Sequence, residues 1–180
     1  MIQVPVLTTA RLTLRAPGLA DFEPLADFYA SARSRHVGGP ITREQAWRVL
    51  AAETGHWTLR GFGRWAVEES ATGALVGLVG PWFPEGWPEP EIGWDLMNGH
   101  EGKGYATEAA FAALQGAYDL FGWTTAISLV APRNAASRRV AHRLGASRDG
   151  SFTHVRFGEM EVWRHLSPED VAAGGIEAYA

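Results

Sequence analysis

The chain has no cysteine among its 180 residues. That absence excludes disulfides, a cysteine nucleophile and thiolate metal sites, and no metal is expected. It also accords with a reducing compartment, so a cytoplasmic location is expected. No apolar run approaches the ~20 residues that a membrane-spanning helix needs, so no membrane partner is expected. The opening stretch Met1-Ile2-Gln3-Val4-Pro5 lacks the basic and long apolar regions of a signal peptide. There is no excess of positive charge either: 16 Lys and Arg face 20 Asp and Glu, a net charge of −4. Without a basic stripe, nucleic acid is not expected as a partner, whereas a mildly acidic protein suits a cationic substrate. Internal repeats and low-complexity linkers are also missing. What remains is 46% hydrophobic and 20% charged, the balance of a globular domain. The length fits one domain spanning 1–180, with a core over roughly 8–167.

Periodicity places the elements. Arg11–Arg15 alternates polar and apolar residues and reads as a half-buried strand. A helix from about Asp21 follows, capped by Asp21, with Phe22, Leu25, Ala26 and Tyr29 at helical spacing. A second helix starts near Thr42, where Thr42 and Gln45 form a capping box. Arg64–Glu69 and Leu75–Gly80, joined by Ala71-Thr72-Gly73, read as an antiparallel hairpin. Beyond a loop rich in Trp and Pro, Glu91–Met97 reads as a strand and Tyr105–Phe121 as a long amphipathic helix. Thr124–Ala131 is β-branched and apolar, a buried strand. Asn134–Leu144 is a short helix, and strands near Ala146–His154 and Glu159–Leu166 close the domain. This order implies an α/β fold, a mixed sheet flanked by helices.

The segment that carries chemistry is Glu101-Gly102-Lys103-Gly104-Tyr105-Ala106, set between a strand and a helix. Glycines let the backbone approach a ligand, and the following helix offers N–H groups and the positive end of its dipole, so a diphosphate fits. A Walker loop and a Rossmann fingerprint both need spacings that this segment lacks. The run I-G-W-D-L-(x5)-G-K-G-Y-A-T-E-A, from Ile92 to Ala109, resembles the acetyl-CoA site of the GNAT superfamily of N-acetyltransferases, most of all the Rim-type branch that acts on ribosomal-protein N-termini. A second match, Asn134-Ala135-Ala136-Ser137 followed by Leu144-Gly145-Ala146, resembles the N-x-x-S…L-G segment of the same family. The two matches lie in a likeness that runs from Arg11 to Leu166. The resemblance implies a mostly antiparallel sheet whose central strand splays from its neighbour. It implies that Trp94, Asp95 and Leu96 pair with the pantetheine arm through their backbone. Gly102, Lys103, Gly104, Tyr105, Ala106 and Thr107 would hold the diphosphate, Asn134 would contact the cofactor arm, and Ser137 would sit near the thioester sulfur. Glu101, a carboxylate beside a diphosphate, is expected to point outward.

The chemistry expected is direct attack of a neutral primary amine, from a small molecule or a peptide, on the thioester of acetyl-CoA. Relatives often place a Tyr after the Asn to protonate the thiolate, but Arg138–Leu144 contains none. Ser137 is therefore the candidate acid or hydrogen-bond donor. Ser137, Val140, Ala141 and Leu144 share one helical face, which turns Ser137 inward. Neutralising a lysine-like amine of pKa ~10.4 costs about 4–5 kcal/mol at neutral pH, whereas an α-amine near ~7.7–8.0 costs about 1. Glu91, at the head of the cofactor strand, is the candidate base, where relatives carry a carboxylate acting through water; the alternative is a solvated strand-end Glu. His154 is the second candidate. Trp82, Phe83, Trp87, Glu85, His36 and the Gly38-Gly39-Pro40 turn frame the amine or simply pack over the sheet, while Trp65, Trp94 and Trp163 read as core. The surplus of Trp leaves room for a homodimer. A catalytically silent acyl-CoA-binding sensor module is the alternative function.

Overall fold

The computed structural model describes residues 3–174. Met1 and Ile2, which belong to the opening stretch read above, lie outside it. The elements are β1 (Leu7–Thr8), β2 (Leu12–Arg15), α1 (Phe22–Ala30), α2 (Arg43–Arg60), β3 (Trp65–Glu69), β4 (Leu75–Trp82), β5 (Glu91–Leu96), α3 (Tyr105–Phe121), β6 (Ile127–Val130), α4 (Ala135–Arg143), β7 (Ser147–His154), β8 (Gly158–Arg164) and α5 (Pro168–Ala172). The eight strands form one sheet in the order β1-β2-β3-β4-β5-β6-β8-β7. Every neighbouring pair is antiparallel except β5–β6, which is parallel and meets at a single position, Glu91↔Ile127. The expected splay lies here.

Alternation along β3, and along β4 on either side of an irregularity at Val76, feeds two cores. Trp65 and Val67 of β3 and Val76 and Val79 of β4 meet the alanine-rich stripe of α3, from Ala109 through Ala113 to Ala117. Ala66, Leu75 and Leu78 turn the other way, onto Leu25, Phe28 and Tyr29 of α1 and Ala46 and Leu50 of α2. Small alanines let α3 sit close to the sheet, and each fully buried large side chain contributes about 1.5–3 kcal/mol. The helix ends follow local chemistry. Thr42 and Gln45 make the reciprocal capping box, and Gly61 closes α2 in the left-handed conformation.

Some local expectations shift. Asp21 stands at the N-cap of α1 but makes no cap bond; its carboxylate instead takes the Gly18 N–H at 2.8 Å and pairs with Arg15. The strand read over Thr124–Ala131 is shorter, Ile127–Val130. The two-residue β1 and the five-residue α5 are too short for periodicity to reveal. Trp65 is fully buried as expected, whereas Trp94 and Trp163 are only half-buried.

Candidate active site

Two cavities flank the open fork between β5 and β6. The first, about 600 Å³, runs past Gly102 and Gly104 to the first turn of α3. Gly104 is the N-cap of α3 at φ 82°, a left-handed conformation, and supplies no side-chain cap. The first turn of any α-helix leaves N–H groups without intrahelical acceptors, and here the helix dipole adds its positive end. Arg33, Arg35, Arg133, Arg139 and Arg143 line the same groove. Glu101 and Asp95 are the carboxylates among its lining residues; Glu101, expected to point outward, is exposed but lines the groove, where Arg33 at 3.1 Å offsets its charge. The geometry is that of a site for a multiply charged anion.

The second cavity, about 670 Å³, is framed by Trp82, Trp87, Glu91, His154 and Phe157. Its floor is a buried ion cluster: Arg64 pairs with Glu53 and, at 2.8 Å, with Asp95. Burial alone would lower the Arg64 pKa, but the two carboxylates together hold it well above the ordinary value. His36, Trp82, Glu85 and Trp87 line this cavity, as the reading of the amine pocket expected, while Phe83 and the Gly38-Gly39-Pro40 turn do not. Phe83 instead donates its N–H to His56 Nε2 at 3.0 Å.

The cavities share the lining residues Trp94, Asp95, Asn134 and Ser137, along with His36 and Val37. Asn134 caps α4, its side-chain oxygen accepting the Ser137 N–H at 3.2 Å. Ser137 Oγ accepts the Trp94 indole N–H at 3.2 Å, and its own proton has no acceptor among the described residues. Along β5, Met97 donates to Val76 of β4, so by alternation the odd residues turn their main chain to β4. The even residues Ile92, Trp94 and Leu96 then face the fork, and the Ile92 and Leu96 carbonyls there accept from Ser128 and Arg33. Asp95 is thus held by its side chain to Arg64 with its main chain turned to β4, while Trp94 and Leu96 carry the open edge.

Glu91 is buried rather than solvated. Its carboxylate accepts the Leu129 N–H at 3.0 Å and the Trp87 indole N–H at 2.5 Å. Burial pushes its pKa above the ordinary carboxylate range, against the pull of those two donors. His154 Nδ1 accepts the Arg156 N–H at 3.1 Å. A neutral His154 so held carries its proton on Nε2, which suits a donor better than a base.

The Gly102–Thr107 segment divides. Gly102, Gly104, Ala106 and Thr107 line the first groove. Lys103 and Tyr105 do not: the Lys103 carbonyl accepts from Arg11 at 3.0 Å, its ammonium lies 5.9 Å from the Tyr105 ring, and the Tyr105 hydroxyl donates to Glu69. Sequence reading missed the arginine rim, although the Arg-rich stretch from Arg133 to Arg143 was a visible signal. It also missed Arg64, Glu53 and Ser128, which carry no local signature. Among the described residues no cluster of three or more His, Asp or Glu side chains is arranged for a metal, and no helix is long and apolar enough to cross a membrane.

The sequence profile of the Acetyltransferase (GNAT) domain matches residues 11–147. An acetyltransferase from Agrobacterium tumefaciens superposes with a TM-score of 0.84 at 36% identity, over 93% of this chain and 97% of that one. The ribosomal L7/L12 alpha-N-protein acetyltransferase RimL, solved with coenzyme A, superposes with a TM-score of 0.73 over 91% of this chain and 98% of that one; at 13% identity this likeness concerns the fold alone. Among curated sequences, YkkB of Bacillus subtilis is 36% identical over 87 residues, 47% of this chain and only 51% of YkkB. The chain thus spans about half the length of that relative.

Proposed function

Because the chain belongs to the acetyltransferase (GNAT) family, we propose that it moves an acetyl group from acetyl-CoA to a primary amine of a small molecule or peptide by direct attack. The observation that carries this reading is the meeting of two unlike cavities at Trp94, Asn134 and Ser137: an arginine-lined groove beside a helix N-terminus, and an aromatic pocket that holds a buried carboxylate. The groove fits the anionic end of acetyl-CoA, with the main chain of Gly102, Gly104, Ala106 and Thr107 and the flanking arginines as its holders. Lys103 and Tyr105 would contribute through their main chain only. The open edge of Trp94 and Leu96 suits an extended amide-bearing arm, and Asp95 supports that edge from behind through Arg64. Acetyl-CoA supplies the acyl group as an activated thioester.

The chain's own groups then divide the proton work. Glu91, kept basic above the usual carboxylate range by burial, accepts a proton from the amine through water. Ser137 donates its free hydroxyl proton toward the sulfur. The Trp94 indole N–H on the same oxygen polarises that hydroxyl and makes it a better donor. The Leu96 N–H faces the fork and serves a developing negative charge there. The buried carboxylates favour a cationic acceptor. A cytoplasmic location is part of this reading, and a homodimer is compatible with it.

Thioester consumption with acetyl-CoA and a panel of amines tests the proposal. Turnover is expected only when both are present, and Ser137→Ala is expected to lose about 10- to 100-fold in kcat, roughly 1.4–2.7 kcal/mol, with little change in acetyl-CoA affinity. Tight acetyl-CoA binding without turnover of any amine would instead identify a binding module.

A further inference from the structure

The opening between β5 and β6 has a cause in side chains. A parallel ladder bonds each facing residue to the two residues flanking its partner. The paired position Glu91↔Ile127 is the last before the fork, and there the Ile127 N–H donates to the Pro90 carbonyl at 3.0 Å. The next rung would join the Leu129 N–H to the Ile92 carbonyl. Neither group takes that bond. Leu129 N–H goes to Glu91 Oε1 at 3.0 Å, and the Ile92 carbonyl takes the Ser128 hydroxyl at 2.7 Å. All four residues are buried, so water is a poor substitute for either bond.

We propose that Ser128 and Glu91 form a wedge that holds the cofactor fork open by satisfying, from side chains, the two backbone groups that would otherwise zip β5 to β6. Ser128 is a positioning residue: it acts through the Ile92 carbonyl and keeps the Trp94 and Leu96 edges free. Glu91 has a structural task besides the one given above, and the second oxygen is pinned by Trp87.

The orientation of Ser128 is set from behind. His165 Nε2 lies 2.8 Å from Ser128 Oγ, and His165 Nδ1 is buried with no partner. Were Ser128 to donate to His165, the imidazole proton would sit on Nδ1 as an orphan donor and the Ile92 carbonyl would lose its partner. With the proton on Nε2, the chain runs His165 N–H to Ser128 O–H to Ile92 C=O, and only one acceptor lone pair is left unmatched. Burial pushes the His165 pKa down to about 4, so this neutral form holds at ordinary pH.

The role toward acetyl-CoA rests on the functional reading, but the wedge can be read without any ligand. Amide hydrogen exchange over residues 93–97 of the free protein is compared for the parent, Ser128→Ala and Ser128→Thr, with acetyl-CoA affinity measured by calorimetry. Removal of the hydroxyl is expected to let the strands pair, so exchange over 93–97 slows while acetyl-CoA binds about tenfold more weakly (~1.4 kcal/mol). Ser128→Thr, which keeps the hydroxyl, is expected to restore both. Glu91→Ala removes the other half of the wedge and is expected to slow the same amides. Ordinary loss of packing speeds exchange, so the sign separates the two causes. Unchanged or faster exchange over 93–97 in both Ser128→Ala and Glu91→Ala would overturn the wedge. If the parent itself fails to bind acetyl-CoA, the functional reading falls, and the exchange comparison still judges the wedge.

Discussion

The groove beside α3 and the pocket beneath Trp82 and Trp87 are built on opposite principles. In the groove the decisive groups are backbone: left-handed glycines, a helix N-terminus and the open edge of β5, with arginines around them. Its chemistry is written in consecutive residues and is largely exposed. In the pocket the decisive groups are buried side chains that arrive from α2, the residue before β3, β5 and the loop before β5, and they settle their charges against one another out of water. An exposed backbone site tolerates change in most side chains around it. A buried charge cluster tolerates almost none, because each partner removed leaves another charge unpaired.

The largest expected effect therefore belongs to the pocket floor. Arg64→Met should cost about 3–5 kcal/mol, since it strands Glu53 and Asp95 as buried carboxylates without a counter-charge. Denaturant unfolding measures it, and adding Glu53→Gln and Asp95→Asn should recover much of the loss. If Arg64→Met is as stable as the parent, the contrast between the two regions collapses.

In the groove, Gly104→Val forces a β-branched residue to φ 82°, which costs about 1–3 kcal/mol of local strain or shifts the first turn of α3. An added Cβ meets only Arg11 Nη2 at 3.4 Å, so crowding is slight and conformation is the cause. The acetyl-CoA-induced rise in Tm should shrink or vanish while the fold, checked by circular dichroism, persists. An unchanged rise would remove the loop from the anion site.

The smallest effect sharpens the role of Glu91. Glu91→Gln keeps an oxygen for the Leu129 N–H, so the fork should stay open and acetyl-CoA affinity should hold. The rate with lysine-like amines should fall about tenfold at neutral pH, about 1.4 kcal/mol. A base works only when deprotonated, so the parent rate rises with pH through the raised Glu91 pKa, and the variant lacks that rise. The deficit should narrow as pH climbs further, because the amine then loses its own proton. A pH–rate profile that keeps the parent's shape at reduced height would leave Glu91 with the wedge alone.

Much of this molecule was readable from residues a few positions apart. Thr42 and Gln45 foretell the start of α2, the alanine stripe foretells the buried face of α3, and Gly102 and Gly104 before Tyr105 foretell a turn opening onto a helix, because caps, periodicity and left-handed glycines are local physics. Asn134 as the cap of α4 and Ser137 in its first turn follow from the same local physics. What the chain order could not reveal depends on contacts between distant segments. Arg64 meets Glu53 and Asp95, and Ser128 reaches Ile92 and His165, only once the sheet has assembled, and Trp94 finds Ser137 only across the fork. Glu91 shows the division within one residue. Its position at the head of β5 was legible, but its burial was not, because Trp87 and Leu129 come to it from a loop and from another strand. Local sequence sets which groups each element offers, and only tertiary packing, by removing water from some of them, decides which must find partners and which stay free to react.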